Sequence, residues 1–591
     1  MTDNIFQAVT EDPDEQPPLS PALMFVLAIL VGIFGGFGSI IFKGIIAFVQ
    51  NLFFHGTFSL HFTPDVHIDP AFLGPWVILV PVVGAVVVTW ITRSVAPEAR
   101  GHGVPEVMNA IHYHDGDIRP ITVLAKALAS AVSIGTGGSV GREGPIIQIG
   151  SAFGSSLGQI WHMPPRQKVV LVGAGAAAGI AATFNAPLGG LAFAIELMLV
   201  SVSAQNVALV ASATVTATYI GRLYSGIGPS FEIPRVDMFT DHVLGSFQLL
   251  LCVPLALLIG AAAAWFVHAI YWFEDRFDEL ISNDYLRHMT GMLILGLLIY
   301  AFARYTGEYY VAGVGYATIL DVLHGLLTDP AFLLLLFLGK LLATSLTLGS
   351  GASGGVFSPS LFLGATLGAA FADFCTLVIP GLEVNHVIFT IAGMAGMVGA
   401  STSAVVTAIV MTFEQTRDYS AILPIITVVA LAYVVRTRIT TESIYTLKLA
   451  RRGLDLPQGL TAAMTSTREA HDIMNTDYQC IEYDELAEWL PGHIPGQNGQ
   501  YTIITQQGQL YGVLQEELRY TQHEQSLDEL IVTDFNMVEP ATRWPVLMRV
   551  IKSSDKDVTL VTYGPFAQDL AGVITSAEIT RAVRDAAELM E

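Results

Sequence analysis

The chain repeats itself. Slid by 214 positions, Lys126–Gly154 falls on Lys340–Gly368 without a gap, and ten of 29 pairs are identical. They include Lys126/Lys340, Gly137/Gly351, Ser139/Ser353, Gly141/Gly355, Pro145/Pro359, Gly150/Gly364 and Gly154/Gly368. Composition alone gives roughly two or three. A second block matches at an offset of 218, setting Ala174-Gly175 on Ala392-Gly393 and Glu196 on Glu414. Both blocks lie in apolar stretches interrupted by glycine. Interrupted backbone is tolerated at membrane depth only where it is buried in protein or lines a cavity. Two halves with corresponding interrupted segments predict a repeat-built transporter, its site lying between the halves. A simple receptor bundle has no use for them.

The remaining composition agrees with a membrane chain. Of 591 residues, 52% are hydrophobic and 13% charged, about half the charged fraction of a soluble protein, and mean hydropathy is +0.55. The net charge of −23 excludes a general nucleic-acid binder. That charge sits at the ends: residues 1–42 hold five acids and no base, and Asp455–Glu591 holds 22 acids and 8 bases. Between them lies a nearly neutral apolar block whose partner is the lipid bilayer. The three cysteines, Cys252, Cys375 and Cys480, are far apart and suggest neither a disulfide framework nor a metal site. Thr2–Pro21 lacks the basic start of a secretory signal, so Ala22–Ile41 reads as a retained helix.

Spanning helices need about 20 apolar residues, which predicts spans at 22–50, 73–95, 247–272, 291–304, 331–349 and 420–435. Broken stretches are expected at 121–160, 168–202, 353–380 and 386–416. Arg436, Arg438, Lys448, Arg451 and Arg452 follow the last span and place the C-terminal end in the cytoplasm. The expected organisation is an acidic cytoplasmic segment (1–21), a membrane domain (22–453, halves 22–225 and 245–453), a linker (454–464) and a soluble α/β tandem (465–591). β-type runs occur at Tyr501–Thr505, Leu510–Leu514, Val558–Thr562 and Ala571–Thr575, with Pro495–Gln500 as an internal loop.

Three glycine-rich helix starts carry the chemistry. Gly141-Arg142-Glu143-Gly144-Pro145 ends in a proline suited to a first helical turn. Its repeat mate is Gly355-Val356-Phe357-Ser358-Pro359, and Gly101-His102-Gly103-Val104-Pro105 gives a third start. Helix N-termini offer unpaired amides and a positive dipole end, which is an anion site. In this order and spacing the three motifs resemble those of the CLC family of chloride channels and chloride/proton antiporters, over about 22–453. The acidic tail resembles the tandem CBS domains of many members.

The resemblance implies an all-α polytopic membrane protein of two inverted repeats with broken helices, followed by the soluble α/β tandem. It implies a homodimer with one chloride pathway per subunit, in a bacterial inner membrane with both termini cytoplasmic, and no required cofactor. Chloride would be held around His102, Gly103, Arg142, Gly144, Val356, Phe357 and Tyr445. Glu143 matches the gating glutamate, and a carboxylate beside unpaired amides is a tethered anion that protonation or chloride can displace. Conduction would then respond to pH and voltage.

Two departures stand out. His102 replaces the usual serine, either as a substitute donor with pH sensitivity or as a ring facing water. Its lack of the methionine of fluoride-selective members favours chloride, nitrate or bromide. Leu197 stands where antiporters usually carry a proton-relaying glutamate, which favours a gated channel, the alternative being a chloride/proton antiporter. Glu196 and Glu414 read as structural carboxylates. In the tail, Thr575 and Glu578 roughly match a CBS adenine-nucleotide site, while Gln515 and Leu518 do not, so the tail reads as structural or dimerising with at most one such site. Gly351-Ala352-Ser353-Gly354 with His386 raises an intramembrane serine protease, but Ser139 mirrors Ser353, and two mirrored nucleophiles make no catalytic sense.

Overall fold

The computed structural model describes residues 18–60, 66–70, 72–228, 231, 242–379, 384–417, 419–454, 468–489, 500–514, 531–554 and 556–588. Most of the acidic start, nearly all of the 454–464 linker, the Pro495–Gln500 loop up to residue 499, and Gln515 and Leu518 lie outside them. The chain forms two compact units, Met1–Lys448 and Leu449–Glu591.

The first half of the first unit comprises α1 (Pro21–Gln50), α2 (Val80–Ser94), α3 (Val104–Tyr113), α4 (Ile121–Gly135), α5 (Glu143–Ile160), α6 (Pro165–Phe184), α7 (Pro187–Phe193) and α8 (Ala204–Ser225). The second comprises α9 (His242–Leu280), α10 (Asp284–Thr306), α11 (Tyr316–Leu323), α12 (Pro330–Ser350), α13 (Phe357–Val378), α14 (His386–Thr402), α15 (Val405–Thr416), α16 (Ile422–Ile439) and α17 (Thr446–Ala450). Among the described residues, eight helices are long and apolar enough to cross a membrane, including Pro21–His55, Phe247–Leu280 and Tyr419–Ile439. Polar caps start several helices: Ser20 before Pro21, Asp329 before Pro330 and Asn385 before His386 each accept a first-turn N–H.

One of the expected breaks is corrected. From Phe357 to Val378 the stretch 353–380 is the unbroken helix α13, whereas 168–202 does break, between α6 and α7. The helical glycines serve close packing. A Cβ on Gly150 would collide with the Gly175 carbonyl oxygen and one on Gly175 with that of Gly150; the repeat mates Gly364 and Gly393 collide reciprocally in the same way. So α5 crosses α6, and α13 crosses α14, with backbones nearly touching. The breaks follow α6 and α14, where the mates Asn185 (φ 57) and Ser403 (φ 63) turn left-handed, and follow the mates α4 and α12, before α5 and α13.

The repeat extends further than the sequence match. Lys126, fully buried, donates from Nζ to Ala99 O (3.0 Å) and Gly101 O (2.7 Å). Lys340, equally buried, donates to Val311 O (3.4 Å) and Gly313 O (2.8 Å), residues 212 further along. Gly141 and its mate Gly355 exchange both backbone hydrogen bonds, at 2.7 and 2.6 Å, as an antiparallel pair. A residue paired reciprocally with its own mate flanks the two-fold axis relating the halves. The repeats are inverted, and their axis passes between Gly141 and Gly355.

The second unit holds two sheets. One has strand order β1 (Tyr478–Glu482), β2 (Tyr501–Gln506), β3 (Gln509–Leu514), β4 (Ile531–Val532); the other β5 (Asn536–Val538), β6 (Thr559–Thr562), β7 (Leu570–Ile574). In each, a parallel pair is followed by an antiparallel one. Ile503 and Val513 of the first sheet share one core with Leu560 and Val573 of the second.

Candidate functional site

Three helix starts meet at the axis. The mates α5 and α13 begin on either side of the Gly141–Gly355 pair, at Glu143 and Phe357. Helix geometry leaves the N–H groups of Glu143 and Gly144, and of Phe357 and Ser358, without intrahelical partners. The third start, α3, follows Gly103, whose φ of 86 suits glycine. Its loop presses on α5: a Cβ on Gly144 would collide with His102 O, and one on Gly103 would lie 2.9 Å from Gly144 O. The loop also binds α13's lead-in, with Gly101 N donating to Ala352 O (3.0 Å) and Gly354 N to Gly101 O (3.3 Å). Lys126 fixes the same loop from behind. The result is a buried centre lined by amides and positive dipole ends.

Glu143 enters this centre with no exposed surface. Its Oε1 accepts a hydrogen bond from the Tyr316 hydroxyl at 2.6 Å and lies 4.0 Å from Arg142 Nε. Its Oε2 lies over Gly141, where an added Cβ would strike it, and has no hydrogen-bond partner among the described residues. Tyr316 opens α11 after Gly315 (φ 88). With its single proton given to Glu143, its oxygen accepts from Ser358 Oγ at 3.0 Å. Its ring is held by the Arg142 guanidinium, 5.1 Å from the centroid, and by Phe231, edge-on at 5.4 Å. Sequence reasoning missed Tyr316. The available signal was Gly313-Val314-Gly315-Tyr316, which sets two glycines on those of Gly101-His102-Gly103-Val104.

On the His102 side, the imidazole is buried, with Nε2 3.4 Å from Tyr271 Oη. Tyr271 donates to Ile444 O at 2.6 Å and so ties His102 to the segment carrying Tyr445. Tyr445 is buried, its ring 6.2 Å from that of His102. Ser443 Oγ accepts from the N–H groups of Tyr445 (3.3 Å) and Thr446 (3.2 Å), fixing that turn. Thus His102, Gly103, Arg142, Glu143, Gly144, Val356 and Phe357 form one cluster, with Tyr445 beside His102.

Other sequence-derived residues lie elsewhere. Leu197 is half-buried in a π-type turn, Ala194–Met198, after α7. Its neighbour Glu196 accepts from Val406 N (3.0 Å) and Thr407 N (2.9 Å), capping α15. Glu414 returns the cap, accepting from Leu188 N (3.1 Å) and Gly189 N (2.6 Å) of α7. Ser353 donates to Ala99 O (2.6 Å) and contacts Ser130 Oγ (2.8 Å), whereas His386 is engaged by Asp373 (2.8 Å) and Val322 O (2.8 Å). Those partners make no nucleophile–base pair. In the second unit, Glu578 Oε2 accepts from Thr575 N (3.0 Å), Thr575 Oγ1 (2.6 Å) and Tyr501 Oη (2.9 Å).

An inverted-repeat membrane bundle that aims helix N-termini and a buried carboxylate at its axis defines the class: a polytopic membrane protein built around a buried centre of amides and one carboxylate. Residues 84–437 match the family model described as voltage gated chloride channel, and the chain belongs to that family. It is 30% identical over 459 residues to a protein named H(+)/Cl(-) exchange transporter ClcA from Vibrio parahaemolyticus, covering 74% of this chain and 93% of that one. A protein of the same name from Vibrio cholerae is 34% identical over 353 residues, covering 57% and 71%. Among solved structures, a slow cyanobacterial Cl-/H+ antiporter matches at TM-score 0.63 and 26% identity, covering 74% of this chain and 99% of that one. A eukaryotic CLC transporter shares the fold at TM-score 0.61 and 18% identity, covering 94% of this chain and 98% of that one. The chain is an integral membrane protein and not an enzyme.

Proposed function

We propose that the chain exchanges chloride for protons across a membrane, with Glu143 serving as gate and proton carrier. The observation carrying this reading is the buried Glu143 carboxylate between two helix N-termini, latched by Tyr316. Chloride and carboxylate compete for the same amides. Seated, the carboxylate closes the path; protonated, it loses its claim on the positive dipole ends and yields to chloride.

Leu197, read from the sequence, favours a channel. The relatives named as exchange transporters, matched over most of the membrane unit, support exchange instead. Leucine cannot hold a proton, so protons cross the inner half by another route, water included. The deciding experiment reconstitutes the protein in a planar bilayer and sets chloride and proton gradients independently. Exchange predicts a reversal potential that shifts with the proton gradient. A reversal that follows chloride alone would restore the channel.

The same reading includes bromide and nitrate as substitutes, a homodimer with one pathway per chain, a bacterial inner membrane, and termini in the cytoplasm beside the Arg436–Arg452 basic cluster. The tail is read as a CBS tandem, supported by its two similar sheets and by the eukaryotic likeness covering 94% of the chain. Its role is read as structural or dimerising, with at most one adenine-nucleotide site at Thr575 and Glu578, where Glu578 accepts from Thr575 and Tyr501.

A further inference from the structure

At one end of the bundle, α2 finishes at Ser94 and the neighbouring α10 begins at Asp284. Between these ends lies a cavity of about 190 Å³ lined by Thr89, Arg93, Arg100, Asp284, Arg287 and Ser350, among others. One water needs roughly 10–15 Å³ of such space, so a phosphate group fits with room to spare. Arg287 is nearly buried; its two Nη atoms donate to Asp278 and Asp284, while its Nε has no hydrogen-bond partner among the described residues. Arg93 Nε lies 3.7 Å from Asp284 and Arg100 Nη2 3.9 Å from Asp278, beyond hydrogen-bond length. Both arginines are open to water, where such pairs contribute little. Three guanidinium groups against two carboxylates leave a positive site with donors to spare for a planar, bidentate acceptor.

The cavity lies at headgroup depth, at the ends of two spanning helices. Leading up to it, α2 exposes Val83, Val87 and Trp90, and α10 exposes Leu286, Leu293 and Leu297. Apolar faces of this kind meet acyl chains, and an exposed tryptophan one turn from Arg93 marks the interface. The arginines themselves place this end at the cytoplasmic leaflet, where anionic lipids concentrate. We propose that this cavity holds the phosphate of an anionic phospholipid of that leaflet, whose acyl chains lie along α2 and α10.

The test uses the full chain in detergent, by native mass spectrometry and thermal melting, with phosphatidylglycerol, phosphatidylcholine and inorganic phosphate as probes. Phosphatidylglycerol should be retained in preference to phosphatidylcholine. The double variant Arg93→Gln/Arg100→Gln should lose that preference by roughly ten- to thirtyfold while still running as an intact species. Equal retention of both lipids by the wild type overturns the proposal without recourse to any variant, as does an unchanged preference in the double variant. If millimolar inorganic phosphate alone raises the melting point as much as phosphatidylglycerol, and the double variant abolishes this, the ligand is free phosphate and the lipid assignment fails.

Discussion

Tyr316→Phe removes one oxygen from the gate and leaves its surroundings in place. The phenyl ring keeps its packing against Arg142 and Phe231, while Glu143 loses the 2.6 Å donor that holds it in the centre. A hydrogen bond to a charged group contributes about 1.5–3 kcal/mol, and about 1.4 kcal/mol is tenfold in an equilibrium. The seated carboxylate should therefore be weakened roughly ten- to a hundredfold relative to its displaced state, less whatever Ser358 loses with its acceptor. Because chloride competes for the same amides, its half-saturating concentration should fall by a comparable factor. The assay is initial chloride efflux from liposomes across a series of chloride concentrations. In a Glu143→Gln background the same change should do little, since no carboxylate remains to be latched. A half-saturating concentration within twofold of wild type would refute the latch, and an equal shift in both backgrounds would mark Tyr316 as structural only.

Glu143→Gln should abolish chloride-driven proton uptake and make chloride flux nearly independent of pH; persistent uphill proton movement would place the carrier elsewhere. His102→Ser removes an imidazole, which in water titrates at about pH 6.5, so the dependence of flux on internal pH should flatten, and identical pH profiles would mean the ring only fills space. In the loop before α3, burial pushes the Glu98 carboxyl up, but hydrogen bonds from Arg119 (2.7 and 2.9 Å) and Thr122 (3.0 Å) outweigh it and hold the group below the usual carboxylate range. A lowered carboxyl stabilises the fold above its unfolded value of about 4.3 and loses that contribution as pH falls further. Glu98→Gln should therefore lower the melting point at neutral pH and narrow the gap to wild type near pH 3; a constant gap at both pH values would remove the ion pair from the account.

The sequence carried the repeat because small residues cannot be exchanged where backbones touch. Gly150 and Gly175, with their mates Gly364 and Gly393, are such places, and they anchor both matching blocks. Gly364 and Gly368 misled the reading of 353–380 as broken, since periodicity does not distinguish a glycine that bends a helix from one that lets another approach. The amide cluster was legible from three proline-terminated starts. Tyr316 was not, because its glycine loop opens α11 with Tyr-Ala in place of a proline. The arginine cavity was invisible for a different reason: its lining comes from positions 89–100, 284–288 and 350–351, which only folding brings together.

The symmetric frame also explains where asymmetry is needed. Gly141 and Gly355 flank the axis, so the two helix starts present equivalent amides from opposite sides, and on the proposed reading an anion there would be held alike by both halves. Equivalent side chains would add nothing but a second block. Instead, each polar group of the gate has an apolar mate: Arg142 and Glu143 answer to Val356 and Phe357, Tyr316 to the buried Val104, and His102 to the buried Val314. The pairs that act together come from different halves, Glu143 with Tyr316 and His102 with Tyr445. A movement of one half against the other would therefore alter the latch before it altered the cradle. Direction enters through these few substitutions, while the repeated backbone supplies an anion site indifferent to direction.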